Sequence, residues 1–296
     1  MMYSLNVNSI RSLLKKRGKN ALSVQDLPRY THEHLGLRAL NLSTDLLKGM
    51  GRTEITRIRD NGDKVGCTCL MLSEPEALDL GNSNENKADA AIDRMSRVIV
   101  AGSVLGCNAV SMSINAKDSD DVFELVSERM KQVLESADQV DINVLISPTS
   151  GLTQDPDRTT ELVKAIGGFR IGTLPDFVAA HESGDATHYL RRLTPYATVV
   201  NASTLGFVEA EPDDEAMQAA EGLSGLDALA AELEAMDDSA PPVHVGYELE
   251  PMVSAIKAVG FSGNIALDYR GDGDGTLGVL QTKDAIEAAL VSLAES

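Results

Sequence analysis

Short apolar runs alternate along this chain with longer stretches whose apolar residues recur every three or four positions. The first pattern suits a buried strand, the second one face of a helix. Strands are predicted at Tyr3–Val7, Leu37–Leu42, Cys67–Leu72, Ala109–Ile114, Ile142–Ile146, Phe169–Leu174, Ala197–Val200 and Asn264–Leu267. Helices are predicted near Val24–Leu35, Thr53–Lys64, Lys87–Val104, Asp120–Ser136, Ala186–Leu193, Glu248–Val259 and Thr282–Ala294. In the Asp120–Ser136 stretch, Val122, Val126, Met130 and Val133 carry the helical spacing. Asp155-Pro156-Asp157 opens a further helix, with Pro in the first turn and acids where the helix dipole favours them. Gly36, Gly66, Gly106, Gly167 and Gly260 each fall just before a strand, as helix-ending glycines do.

Eight strand–helix units in sequence are the mark of a parallel α/β fold. No GxGxxG or GxxxxGK[ST] follows the first strand, which removes the main reason to expect an open nucleotide-binding sheet. The expectation is therefore one closed (β/α)8 TIM barrel over residues 1–296, with no nucleotide cofactor. The chain is 43% hydrophobic but only 4% aromatic and has no Trp, so its core must be aliphatic. No apolar run reaches the roughly 18 residues a bilayer span requires. The residues from Met1 to Asn6 lack the charged and apolar regions of a signal peptide, and the protein is expected to be cytoplasmic.

A net charge of −19 argues against nucleic acid and against anionic membranes as partners. Much of that charge lies between Glu209 and Asp238, within an acidic insertion at about 208–245 after strand seven. Leu226, Leu229, Leu233 and Met236 keep a helical spacing there, and an apolar helical face needs a partner surface. Its own barrel or a second copy of the chain would serve, so a homo-oligomer is one expectation. Cys67, Cys69 and Cys107 form no CxxC and no even framework, and read as buried reduced thiols.

In such a barrel the chemistry sits at the C-terminal ends of the strands. That rule selects Asn6 or Asn8, Asn41 and Ser43, Glu74, Asn115, Ser147, Asp176, Asn201 and Asp268. The loop after strand eight adds Arg270. Asp272-Gly273-Asp274-Gly275 has the look of a calcium loop, but its twelfth position is Lys283 rather than Glu, so it reads as rim. His32 and His34 read as surface residues, as does His181, while His188 and His244 lie in no motif.

Three stretches carry a family resemblance. Gly151-Leu152-Thr153-Gln154-Asp155-Pro156-Asp157, followed by Gly172-Thr173-Leu174-Pro175-Asp176-Phe177, resembles a pairing in sugar phosphate isomerases and epimerases of the xylose isomerase-like barrel superfamily. Gly260-Phe261-Ser262-Gly263-Asn264-Ile265-Ala266-Leu267-Asp268-Tyr269 resembles their last strand. The resemblance implies a divalent metal held by Glu, Asp, His and Glu from strands five to eight, with the two glutamates moving protons across an enediolate. Here those positions are Ser147, Asp176, Asn201 and Asp268. Two of the four are neutral, so a Mg²⁺ or Mn²⁺ ion would rest on Asp176 and Asp268 alone, and zinc lacks its His. Asp268 is the candidate base. The expected ligand is a small polyhydroxylated molecule, a sugar or inositol without phosphate, held by Asn41, Glu74, Asn115, Ser147, Asn201 and Arg270. The alternative is a non-catalytic binding or assembly module on the same barrel.

Overall fold

A computed structural model describes residues 1–14, 22–208, 225 and 242–295. The Lys15-Lys16-Arg17 loop and the Leu226–Met236 stripe lie outside the described residues. In chain order the elements begin with β1 (Met2–Asn6), α1 (Arg11–Leu14), α2 (Leu27–Leu35), β2 (Ala39–Ser43), α3 (Arg52–Val65) and β3 (Thr68–Ser73). Next come α4 (Glu85–Leu105), β4 (Ala109–Met112), α5 (Asp120–Asp138), β5 (Asn143–Ile146), α6 (Pro156–Ile166) and β6 (Ile171–Thr173). The chain continues through α7 (Phe177–Glu182), α8 (Ala186–Leu193), β7 (Val199–Thr204), β8 (Phe207–Val208) and β9 (Val243–His244). It ends with α9 (Leu249–Ala258), β10 (Asn264–Tyr269) and α10 (Gly275–Glu295).

Eight of these strands form one sheet in the order β6-β5-β4-β3-β2-β1-β10-β7, and every pairing in it is parallel. The sheet curls until its edges meet. Thr173 bridges to Ala197 and Asp176 to Asn201, both in parallel sense, and the Asn201 amide donates to the Pro175 carbonyl at 2.9 Å. This is the (β/α)8 barrel that the alternation predicts. Pro156 opens α6 as expected, behind an Asp155 side chain that accepts from the amides of Asp157 and Arg158. Gly66 and Gly106 end their helices at φ 67° and 82°, where a Cβ would be strained.

Register decides which residues face inward, because side chains alternate across a strand and ladder partners point the same way. Met71, Ala109, Leu145, Leu174, Val199 and Ala266 form their own buried cluster, the apolar plug of the barrel. The larger cluster, with Leu5, Leu40, Leu72, Val110, Val144 and Leu267, lies between strands and helices. Towards the C-terminal ends the inward positions turn polar: Ser43, Ser111, Asp176, Asn201, Ser203 and Asp268 are buried, and Ser73 is half-buried. A dry plug beneath a polar mouth is thus built into the alternation.

Several boundaries differ from expectation, for physical reasons. The predicted seventh and eighth strands stop at Val200 and Leu267, yet β7 runs to Thr204 and β10 to Tyr269. The polar residues that ended those runs point into the mouth instead of marking a loop. The last helix begins at Gly275, not Thr282, because the Asp274 carboxylate accepts from the amides of Thr276 and Leu277 at 2.8 and 3.0 Å. The α7 turn was not expected, and Asp176 starts it by capping Ala179. Phe169, placed at the start of strand six, is fully exposed outside β6. Cys67, Cys69 and Cys107 are free and buried, and burial pushes the thiols of Cys67 and Cys69 up to about 12. Among the described residues no helix is long and apolar enough to cross a membrane.

Candidate functional site

The mouth is built mainly by β6, β7 and β10. Pro175 carries the chain out of β6 and places Asp176 opposite Asn201. Asp176 Oδ1 accepts from the Ala179 amide at 3.1 Å and from Ser203 Oγ at 2.8 Å. Ser203 Oγ in turn accepts from the Val178 amide at 2.9 Å, so the start of α7 is fastened to β7. Asp268 pairs with Ser203 in the ladder and is only 1% exposed.

Arg270 lies two residues beyond Asp268 and therefore reaches over the same face. Its Nε donates to Asp268 Oδ2 at 2.9 Å, and its Nη2 lies 2.8 Å from the same oxygen. Nη2 also pairs with Asp176 Oδ2, while Nη1 donates to Asp176 Oδ1 at 3.3 Å. One guanidinium thus spans two carboxylates. Burial works against the Arg270 charge, and the fields and hydrogen bonds of Asp176 and Asp268 outweigh it, so its pKa rises. Burial also raises the Asp268 carboxyl pKa, helped by the charge of Asp176 and opposed by Arg270.

Three buried acceptors inside the barrel have no hydrogen-bond partner among the described residues: Asn201 Oδ1 and Asp268 Oδ1 at the mouth, and Asn41 Oδ1 on β2, level with Met71 of the plug. Asn41 is oriented by its amide, which donates to Ser4 Oγ at 3.0 Å, and Ser4 donates onward to Asn264 Oδ1 at 2.6 Å. A buried acceptor left unmet costs about 1–3 kcal/mol, so such groups mark places where a donor from outside the chain gains most.

The other predicted site residues are arranged differently. Ser147 is half-buried at the end of β5, with its backbone amide given to the Met112 carbonyl. Glu74 is buried, but it follows inward-facing Ser73, and the pleat turns it outward. There it accepts from Arg94 at 2.6 and 2.8 Å and from Thr44 at 3.0 Å. It lines a cleft of about 540 Å³ with Lys48, Ile55, Arg94 and Arg97. Asn115 is exposed and donates to Asp79 at 2.6 Å. The structure therefore gathers Asp176, Asn201, Asp268 and Arg270, and leaves Glu74 and Asn115 apart from them.

Tyr247 was missed by sequence reasoning. It is buried, donates to the Ser203 carbonyl, and stacks on His181 with ring centroids 5.1 Å apart. His244 holds the Tyr247 carbonyl through Nδ1 at 2.8 Å. No local pattern marks these residues, because the acidic insertion separates them from β7.

The eight-stranded parallel sheet, curled so that its edges meet and carrying Asp176 and Asp268 at its C-terminal mouth, places the protein among the (β/α)8 barrels. A family comparison makes this specific: residues 31–294 match the xylose isomerase-like TIM barrel family. The chain belongs to that family. Among curated proteins no sequence match is found. Solved structures give the same fold at low identity. An L-ribulose 3-epimerase aligns with a TM-score of 0.73 and 11% identity over 99% of this chain and 97% of its own. A D-tagatose 3-epimerase-like protein aligns at 0.69 and 14% identity, over 100% and 99%. The IolI protein, solved with a bound zinc atom, aligns at 0.64 and 13% identity, over 99% and 98%.

A metal of that kind needs lone-pair donors converging on one point. In this chain the two acids converge on a guanidinium, which cannot be deprotonated and offers no lone pair. Among the described residues no group of three or more His, Cys, Asp or Glu could hold a metal ion. The donor set does not fit a resident divalent metal.

Proposed function

We propose that the barrel mouth binds a small polyhydroxylated molecule, a sugar or inositol, and that Asp268 moves a proton on it. The observation that carries this reading is the set of unmet buried acceptors, Asn41 Oδ1, Asn201 Oδ1 and Asp268 Oδ1. Polyol hydroxyls are the donors such a set needs. The two epimerase-type structures named above carry sugars in their names, which supports the same ligand class.

Asp268 suits proton transfer because its two oxygens do different work. Oδ2 is held by Arg270, while Oδ1 is free of partners among the described residues. A carboxyl with a raised pKa can take a proton from a carbon beside a carbonyl and return it, giving isomerisation or epimerisation with no net change in atoms. The second reading, a binding or assembly module without turnover, draws on Ser147 and Asn201, which supply no second base.

Calorimetric titration with a panel of ketoses, aldoses and inositols tests the ligand class, and NMR exchange of substrate protons with solvent tests the chemistry. The expected result is saturable binding of at least one polyol, with exchange that falls by about 10²-fold or more in Asp268→Asn while binding persists. Binding without exchange in the wild type selects the module reading. No binding of any polyol overturns the proposed ligand class.

A further inference from the structure

Outside the mouth the molecule offers the cleft beside Glu74, the cluster of His181, His244 and Tyr247, and three buried thiols. None is as sharply built as the ion triad of Asp176, Asp268 and Arg270. We propose that Arg270 is the resident cation of this barrel: it occupies the position between the paired acids and thereby excludes a divalent metal from the mouth. This stands on the ion-pair geometry and does not depend on which ligand the mouth binds.

Four contacts argue for a fixed position. The guanidinium reaches both oxygens of Asp176 and grips Asp268 Oδ2 twice, by Nε at 2.9 Å and Nη2 at 2.8 Å. Its planar fork suits such bridging, as an ammonium would not. The acids themselves are tethered. Asp176 caps α7 and accepts from Ser203, while Asp268 sits within β10 with a side chain 2% exposed. Two buried carboxylates this close need a counter-charge, since a buried anion without one is strongly unfavourable. A metal entering the site would have to displace a tethered charge that is always present. The neutral residues beside it complete the picture, because Asn201 and Ser147 lower the negative charge available to a dication. The consequence for the site is a cation that needs no loading and whose hydrogen-bond donors can face a ligand oxygen from the edge of the guanidinium left to solvent (38% of the side chain is exposed).

The experiment reads Mn²⁺ by electron paramagnetic resonance on purified full-length protein, with polyol binding measured separately. Wild type is expected to leave Mn²⁺ free in solution and to melt at the same temperature with and without a chelator. Arg270→Met and Arg270→Gln remove the charge and should gain one Mn²⁺ per chain, with at least a tenfold rise in affinity, about 1.4 kcal/mol. Adding Asp268→Asn should abolish that gain. Stoichiometric Mn²⁺ in the wild type, lost in Asp268→Asn, overturns the proposal, as does the absence of any gain in folded neutral variants. Should the neutral variants fail to fold in metal-free buffer, recovery on refolding with Mn²⁺ supports it and no recovery overturns it. Failure of the wild type to bind any polyol would count against the ligand reading and leave the Mn²⁺ result untouched.

Discussion

Asp268 carries the most chemistry of any single residue here, and its strand position explains why. The ladder with Ser203 turns it inward, and the depth of β10 leaves it almost without solvent. Its folded-state pKa is raised, so above the ordinary carboxylate value the native protein keeps a proton that the unfolded chain has lost. The stabilisation this gives is complete below about pH 3.9 and is lost as pH rises through the folded value. Asparagine cannot ionise. Urea unfolding of wild type and Asp268→Asn should therefore show the difference in stability moving in favour of the variant as pH increases from the acid range to neutrality. Parallel pH profiles would show that burial does not shift this carboxyl.

At the scale of elements, caps and glycines were the most legible signals. Asp155-Pro156-Asp157 marks the start of α6 on residue types alone, and Gly66 and Gly106 mark two helix ends. Strand ends were less legible, because a polar residue ending an apolar run can be a loop or the wet inner face of a barrel. The Asp272–Gly275 loop shows how context assigns a motif. Asp274 accepts from two amides at the start of α10, and Gly278 lets that helix pack against the Tyr269 ring. Asp274→Ala should cost about 1 kcal/mol of stability, the usual loss for an N-cap, read as a shift in the denaturation midpoint with polyol binding retained. A loss of polyol binding without a stability change would give the loop a ligand role instead.

At the scale of the whole molecule, the acidic insertion is tied at its base. β8 and β9 pair as an antiparallel ribbon, with Phe207 opposite His244 and Val208 opposite Val243. Phe207 stacks near Tyr269 with centroids 6.4 Å apart, and His244 reaches Tyr247, so both ends of the insertion leave from the mouth. Burial lowers the His244 pKa, so protonation below about pH 6.5 works against the folded ribbon. An insertion that narrows the mouth or joins two copies predicts that deleting residues 213–238 raises protease sensitivity near Asn201 or changes the mass in solution. An unchanged mass by light scattering together with an unchanged melting temperature would make the segment a spacer.

The local pattern by itself determined the eight-unit alternation, the barrel and the polar rim with Asp176 and Asp268, because strand and helix periodicities and capping act over a few residues, while the family showed only as a resemblance in a few short motifs. It also marked Arg270 as the cation nearest the mouth. Tertiary structure decided the rest. Arg270 and Asp176 are 94 positions apart, and only closure of the sheet sets the guanidinium between the two acids. The pleat, fixed by register with neighbouring strands, turned Glu74 towards Arg94 and away from the mouth. Hydrogen-bond partners that close over such separations depend on how the strands curl, and no short-range pattern encodes that.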